Sequence, residues 1–210
     1  MPTHIVLADD HVMVRQALKT VLENGGYQVC GEASDGREAI QLCQQFHPEI
    51  AVIDISMPLL NGVGAAREIA KVSPRTRVIF LTMHAGDQFV LEGLRSGVHG
   101  YVVKTKDLAE LLLAIRTVYQ GEVYLSPGIS RTVLDGYLAG RAVSNDPLSA
   151  REREVLQLVA EGKTTKEVAS LLGISTSTAE SHRTNIMEKL DIHDTAGLVR
   201  YAIRHGVIES

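Results

Sequence analysis

The sequence predicts a five-stranded, doubly wound parallel α/β sheet followed by a smaller all-helical domain. Three observations point there. Five short apolar runs alternate with stretches of helical spacing through the first half of the 210 residues. Those runs are apolar almost throughout rather than at every second position, as strands covered on both faces are. From Leu148 onward only helical patterns remain.

The strands are "HIVLA" (4–8), "YQVCGE" (27–32), "EIAVID" (49–54), "RVIFLT" (77–82) and "GYVVK" (100–104). Helical faces lie between them. Val14, Leu18, Val21 and Leu22 make the first, and Ala39, Ile40, Cys43 and Phe46 the second. Ala65, Ile69 and Val72 follow, then Val90, Leu91 and Leu94, then Leu108, Leu111, Leu112, Ile115 and Val118. Pro48 and Pro74 stand just before the third and fourth strands, and Gly25-Gly26, Gly97 and Gly121 stand where helices should end. Residues 122–146 are looser and rich in Gly, Ser and Pro. They hold one helical stripe of Ile129, Val133, Leu134, Tyr137 and Leu138, and read as a linker with a docking helix. "LSAREREVLQLVAEG" then opens the helical domain, with Ser149 and Glu152 spaced as a capping box.

Bulk composition narrows the class. Hydrophobic residues make up 45 % and charged residues 22 %, as in an ordinary globular protein. A net charge of −4 and a pI near 6.1 do not advertise a nucleic-acid partner for the chain as a whole. Cys30 and Cys43 sit inside apolar patterns without metal or CxxC spacing, and read as reduced core thiols. The N-terminal segment meets Asp9-Asp10 before a signal-peptide core could form, and no apolar run approaches a membrane span. A cytoplasmic protein is expected.

Chemistry collects at one edge of the sheet. In open α/β sheets of the flavodoxin-like order 2-1-3-4-5, strands one and three are neighbours and ligands bind beyond their carboxyl ends. Strand one ends in Asp9-Asp10, strand three in Asp54, strand four in Thr82, and strand five in Lys104 with Tyr101 just before it. Clustered acids raise one another's pKa unless a cation neutralises them. Oxygen donors with open positions suit Mg²⁺. An ionised Asp54 beside such an ion is placed to attack a phosphoryl group, since that transfer needs mainly positioning and charge neutralisation. Lys104 would pair with a new phosphate oxygen and Thr82 would bond another.

Residues 1–121 resemble the receiver domain of two-component response regulators, through "ADDH" (8–11), "DISMPLLNG" (54–62), "LT" (81–82) and "YVVK" (101–104). The resemblance implies Asp54 as phosphoacceptor, Asp10 as a direct Mg²⁺ ligand and Asp9 acting largely through water. It gives the backbone carbonyl of Ser56 the remaining protein share of the metal shell, and makes Thr82 and Tyr101 the pair that rearranges on phosphorylation. Many receivers have Lys-Pro after strand five, whereas this chain has Lys104-Thr105. Ser56 and His84 flank the expected phosphate position, and Met83 reads as a packing residue.

In the helical domain, Ala169 is followed by Gly173, where a tight turn between packed helices needs room, and Ser175 caps the next helix. Ala179, His182, Ile186 and Leu190 fall on the inward side of that helix, while Ser177, Glu180, Ser181, Thr184 and Glu188 face outward. Short hydroxyls with a few charges suit a major groove. Residues 147–210 hold eight Lys/Arg against nine Asp/Glu, so little basic charge is available for phosphates. Dimerisation on paired half-sites is the natural remedy.

Residues 147–210 resemble the LuxR-type helix-turn-helix, from "LSAREREVL" through "TTKEVASLLGIS" and "TAESHRTNIMEKL". Receiver and output domain together resemble the NarL/FixJ class of response regulators. Carried over by position, Glu180, Ser181 and Thr184 face base edges. Ser177, Thr178, Arg183, Asn185 and Lys189 serve phosphates, and His182 combines packing with a phosphate contact. Ala179 stands where the family more often has Val. The resemblance implies a sensor histidine kinase, promoter DNA and a second copy of the chain as partners, with RNA polymerase a further candidate. Phosphorylation would draw in Thr82 and Lys104, turn Tyr101 inward, and free or pair the DNA-binding domains. Two rivals stand beside this: a DNA-binding regulator with a vestigial receiver, and an aspartate-nucleophile phosphohydrolase. The latter needs a second acid two residues after Asp54, where this chain has Ser56.

Overall fold

The computed structural model describes residues 2–83, 97–104, 109–131 and 147–208. The chain forms two compact units, residues 1–143 and 144–210. In the first, β1 (His4–Ala8), β2 (Gln28–Ala33), β3 (Ile50–Asp54), β4 (Arg77–Thr82), β5 (Gly100–Val103) and β6 (Tyr124–Leu125) are described together with α1 (Val12–Asn24), α2 (Gly36–Phe46), α3 (Gly62–Val72) and α4 (Ala109–Tyr119). Every strand pair is parallel, in the order β2-β1-β3-β4-β5-β6. The expected order 2-1-3-4-5 is therefore present, extended by one two-residue strand.

The apolar strands divide their side chains between two cores because successive residues point to opposite faces. Val6, Ala8, Ala51, Ile53, Val78 and Phe80 pack with Ala39 and Cys43 of α2 and with Ala65 and Ile69 of α3. Ile5, Leu7, Ile50, Val52, Ile79 and Leu81 pack with Leu18 and Leu22 of α1 and with Leu111, Ile115 and Val118 of α4. Both sheet faces are thus covered, which is why the strands are apolar throughout. Neither cysteine is in a disulfide, and burial pushes the Cys43 thiol up to about 12.

Three expected packing residues are exposed. Val14 is exposed in the first turn of α1, above the sheet rim, and Phe46 is exposed at the last residue of α2. Met83 is exposed because β4 ends at Thr82, so this residue stands past the part of the strand that the helices cover. The start of the expected linker is also part of the sheet. Gly100 pairs with Tyr124 and Tyr101 with Leu125, the Ser126 amide donates to the Tyr101 carbonyl at 2.9 Å, and Ile129 is fully buried beside Tyr101. Val133, Leu134, Tyr137 and Leu138 lie outside the described residues, as do His84, Val90, Leu91, Leu94, Thr105 and Leu108.

The second unit contains α5 (Ala150–Ala160), α6 (Thr165–Leu172), α7 (Thr176–Leu190) and α8 (Thr195–Arg204). Each begins with a side-chain cap: Ser149 and Thr164 form full capping boxes with Glu152 and Glu167, and Ser175 and Asp194 each accept one backbone amide. Gly173 ends α6 in the left-handed conformation, at φ 63°, which a glycine adopts without the penalty of a Cβ. Val155, Leu156, Leu158, Val168, Ala169, Ala179, Ile186, Leu198 and Ala202 are buried. Among the described residues, no helix is long and apolar enough to cross a membrane.

Candidate functional site

Asp54 is the last residue of β3, and the loop after it is built to hold it there. The Ile55 amide donates to the Leu81 carbonyl at 3.1 Å, and the Gly62 amide returns to the Ile55 carbonyl at 2.9 Å. Gly62 lies so close that a Cβ would overlap the Asp54 carbonyl oxygen. Leu59 takes a left-handed φ of 65°, a conformation costing about 1 kcal/mol or more for a residue with a side chain. It is compensated by burial of Met57 and Leu60, by the Gly36 amide bonding the Leu60 carbonyl at 3.1 Å, and by Asn61 capping α3.

The polar ends of β1, β3 and β5 meet. Lys104 Nζ lies 2.7 Å from Asp54 Oδ2 and 2.8 Å from Asp9 Oδ2, with both carboxylates almost wholly buried. Asp9 Oδ1 also accepts the His11 amide at 2.9 Å, and Asp54 Oδ1 lies 3.5 Å from the Ser56 amide. Asp10 is partly exposed and touches His11, Nδ1 to Oδ1, at 2.7 Å. One ligand atom from each of Asp9, Asp10, His11 and Asp54 lies within 4.8 Å of the others. Thr82 is buried at the end of β4, and the Lys104 amide bonds its carbonyl at 2.6 Å.

Burial dominates the titration of Asp54. Its carboxyl is pushed up to about 6 by desolvation, although Lys104 works against the rise. Burial opposes the charge on Lys104, yet the carboxylates of Asp54 and Asp9 outweigh it and the ammonium pKa is raised. Three carboxylates thus face one ammonium. The donors are hard, the charge is in excess, and the pocket is partly open at Asp10, which fits Mg²⁺. His11 was missed by the sequence reading. A histidine after two acids gives no periodic signal, and only the fold turns its ring toward them.

The Tyr101 ring is fully buried, edge-on to Phe80 at 5.8 Å, and its buried hydroxyl has no hydrogen-bond partner among the described residues. It pairs with Leu125 of β6 and shares its core with Ile129.

On α7, Ser177, Thr178, Glu180, Ser181, Thr184, Asn185 and Glu188 are exposed, and Ala179 and Ile186 are buried, as the periodicity predicts. His182 is half-buried. Ser175 bonds Ser177 at 2.9 Å and Thr178 at 2.7 Å, hydroxyl to hydroxyl. The two cations expected to meet phosphates both have partners in this chain. Arg183 donates to Thr195 Oγ1 at 2.6 Å, and Lys189 pairs with the buried Glu152 of the α5 capping box at 2.7 Å.

A carboxylate-and-lysine rim on a doubly wound sheet, with four capped helices among the described residues of the second unit, is the architecture of a response-regulator transcription factor. Family models agree: residues 5–116 match the response regulator receiver domain, and residues 146–202 match the bacterial regulatory proteins of the luxR family. The chain belongs to the NarL/FixJ-type two-component response regulators. It is 37 % identical to the transcriptional regulatory protein MctR of Rhizobium johnstonii, over 97 % of this chain and 94 % of that one. It is 36 % identical to the oxygen regulatory protein NreC of Staphylococcus aureus, over 98 % and 99 %. The structure of RcsB from Salmonella enterica bound to promoter rprA with phosphomimetic BeF₃⁻ matches at a TM-score of 0.66 and 26 % identity, covering 96 % of this chain and 98 % of that one. Phosphorylation of the receiver domain modulates the activity of the DNA-binding domain.

Proposed function

We propose that Asp54 is the phosphoryl acceptor and that its modification, by a sensor histidine kinase, controls pairing of two copies of the chain on promoter DNA. One observation carries this: a buried carboxylate at a strand end, 2.7 Å from a partly buried ammonium and clustered with Asp9 and Asp10. Asp54 Oδ attacks phosphorus, the new P–O bond forms as the bond to the donor imidazole breaks, and the imidazole leaves with a proton. Asp10, Asp54 and the Ser56 carbonyl, with Asp9 through water, would hold Mg²⁺, which would supply charge neutralisation. Lys104, now shared between Asp9 and Asp54, turns to a phosphoryl oxygen, and Thr82 bonds another.

On DNA, Glu180, Ser181 and Thr184 read base edges. Ser177, Thr178, His182, Arg183, Asn185 and Lys189 face phosphates, the last two cations after leaving Thr195 and Glu152. RcsB, a related chain, is solved bound to promoter DNA, which supports DNA as the partner. The acidic second unit supports pairing, since one copy has few cations for phosphates. The test is incorporation from acetyl phosphate with Mg²⁺, mapped by mass spectrometry. The expected result is one phosphate on Asp54 and none in Asp54→Asn. Equal labelling of both chains rejects the assignment.

A further inference from the structure

We propose that Ser126 is a positioning residue for phosphoryl capture: its hydroxyl fixes the end of β5 and so aims Lys104 at the transferred group. The inference rests on reading Asp54 as the phosphoacceptor and Lys104 as the cation that meets the phosphoryl oxygens.

The ladder between β5 and β6 shows why a side chain is needed. The strands run parallel, with Gly100 opposite Tyr124 and Tyr101 opposite Leu125, and the Ser126 amide donates to the Tyr101 carbonyl at 2.9 Å. In a continued parallel ladder the Ser126 carbonyl would accept the Val103 amide. That carbonyl is engaged elsewhere: the chain turns helical after β6, and the Ser130 amide bonds it at 2.9 Å. The Ser126 hydroxyl takes the carbonyl's place and accepts the Val103 amide at 3.1 Å. The last rung of the sheet is thus made by a side chain.

The hydroxyl is itself held. It donates to Glu110 Oε1 at 2.5 Å, and the Tyr124 hydroxyl reaches the same oxygen at 3.2 Å. Glu110 stands in the first turn of α4, where free backbone amides favour a negative charge. A serine at the start of a helical segment commonly turns its oxygen to that segment's own amides. Here the oxygen faces β5, and Ser126 is buried.

Lys104 follows Val103 directly. Ser126 holds the Val103 amide from the β6 side, and the Thr82 carbonyl holds the Lys104 amide from the β4 side at 2.6 Å. From this doubly anchored backbone the Lys104 side chain reaches Asp54 and Asp9 at 2.7 and 2.8 Å. The acids stand on β1 and β3, with β4 and β5 between them and β6. Loss of the Ser126 hydroxyl therefore moves the lysine and spares the metal-binding carboxylates.

The test uses the full chain and titrates beryllofluoride at saturating Mg²⁺ and, separately, Mg²⁺ alone. Ser126→Ala is expected to bind beryllofluoride about fivefold more weakly, and Mg²⁺ no more weakly than wild type. Glu110→Gln keeps Ser126 and an oxygen to receive its hydroxyl, but without the charge, and is expected to lose about twofold for beryllofluoride alone. In a Lys104→Met background, adding Ser126→Ala is expected to cost nothing further, because the group it positions is gone. Unchanged beryllofluoride affinity in both single variants, equal losses for beryllofluoride and Mg²⁺, or a full further loss in the Lys104→Met background overturns the role of Ser126 and leaves the phosphoacceptor reading intact. A wild-type chain that binds Mg²⁺ but no beryllofluoride overturns that reading and this role with it.

Discussion

The receiver rim and helix α7 carry charge in opposite ways. At the rim, Asp9 and Asp54 are buried and Lys104 is partly so, and their geometry follows from which strands are neighbours. On α7 the polar groups are exposed, and its two cations are parked on Thr195 and Glu152. Buried charges interact strongly because water does not screen them, so the rim is organised before any ligand arrives. Exposed charges cost little to move. The contrast teaches that the first region is set by the fold and the second by its partner.

Lys104→Met should break the contrast most sharply. It leaves Asp9 and Asp54 buried without their cation and should cost about 3 kcal/mol in urea melts without divalent ions. Added Mg²⁺ should recover much of that. Wild-type stability in the variant would mean the rim is not held by this pair. Gly62→Ala comes next. Its Cβ has to displace the Asp54 carbonyl, so a loss of about 2 kcal/mol and slower labelling of Asp54 are expected; an unperturbed labelling rate would remove the loop from the account.

A further effect concerns pH. The Asp54 pKa is raised from 3.8 to about 6, so the folded state binds its proton more tightly and stability falls as pH rises between those values. In metal-free protein, Asp54→Asn should be more stable than wild type above pH 6 by about 3 kcal/mol, with the gap closing below pH 3.8. A gap that widens in acid would reverse the sign. On the reading helix, folding stability should hardly move. Arg183→Ala should weaken all DNA sequences alike and lower the salt slope by about one, while Glu180→Ala should shift preference at one base position. Identical losses on specific and random DNA for both variants would take Glu180 out of base readout.

Much of the rim was legible because strand ends are conspicuous in sequence. An apolar run that stops at Asp54, Thr82 or Lys104 announces its polar terminus, and the neighbour rule for strands one and three brings Asp9-Asp10 to the same crevice. Helical period was equally clear on α7, where Ala179 and Ile186 are buried. Period marks a face but not where the covering element stops, which is why Val14, Phe46 and Met83 are exposed. Strand β6 was hidden because two residues, Tyr124 and Leu125, show no alternation, and flanking Gly and Pro suggest a linker. The partners of Arg183 and Lys189 lie 12 and 37 residues away, beyond any local pattern.

The central claim is that charge added at Asp54 alters how the second unit engages DNA. Binding of the full chain to a promoter selected from random sequence, with and without beryllofluoride and Mg²⁺, measures it directly. The account predicts tighter, dimeric binding with beryllofluoride for wild type and no response for Asp54→Asn. Identical affinity and stoichiometry for wild type under both conditions would contradict it.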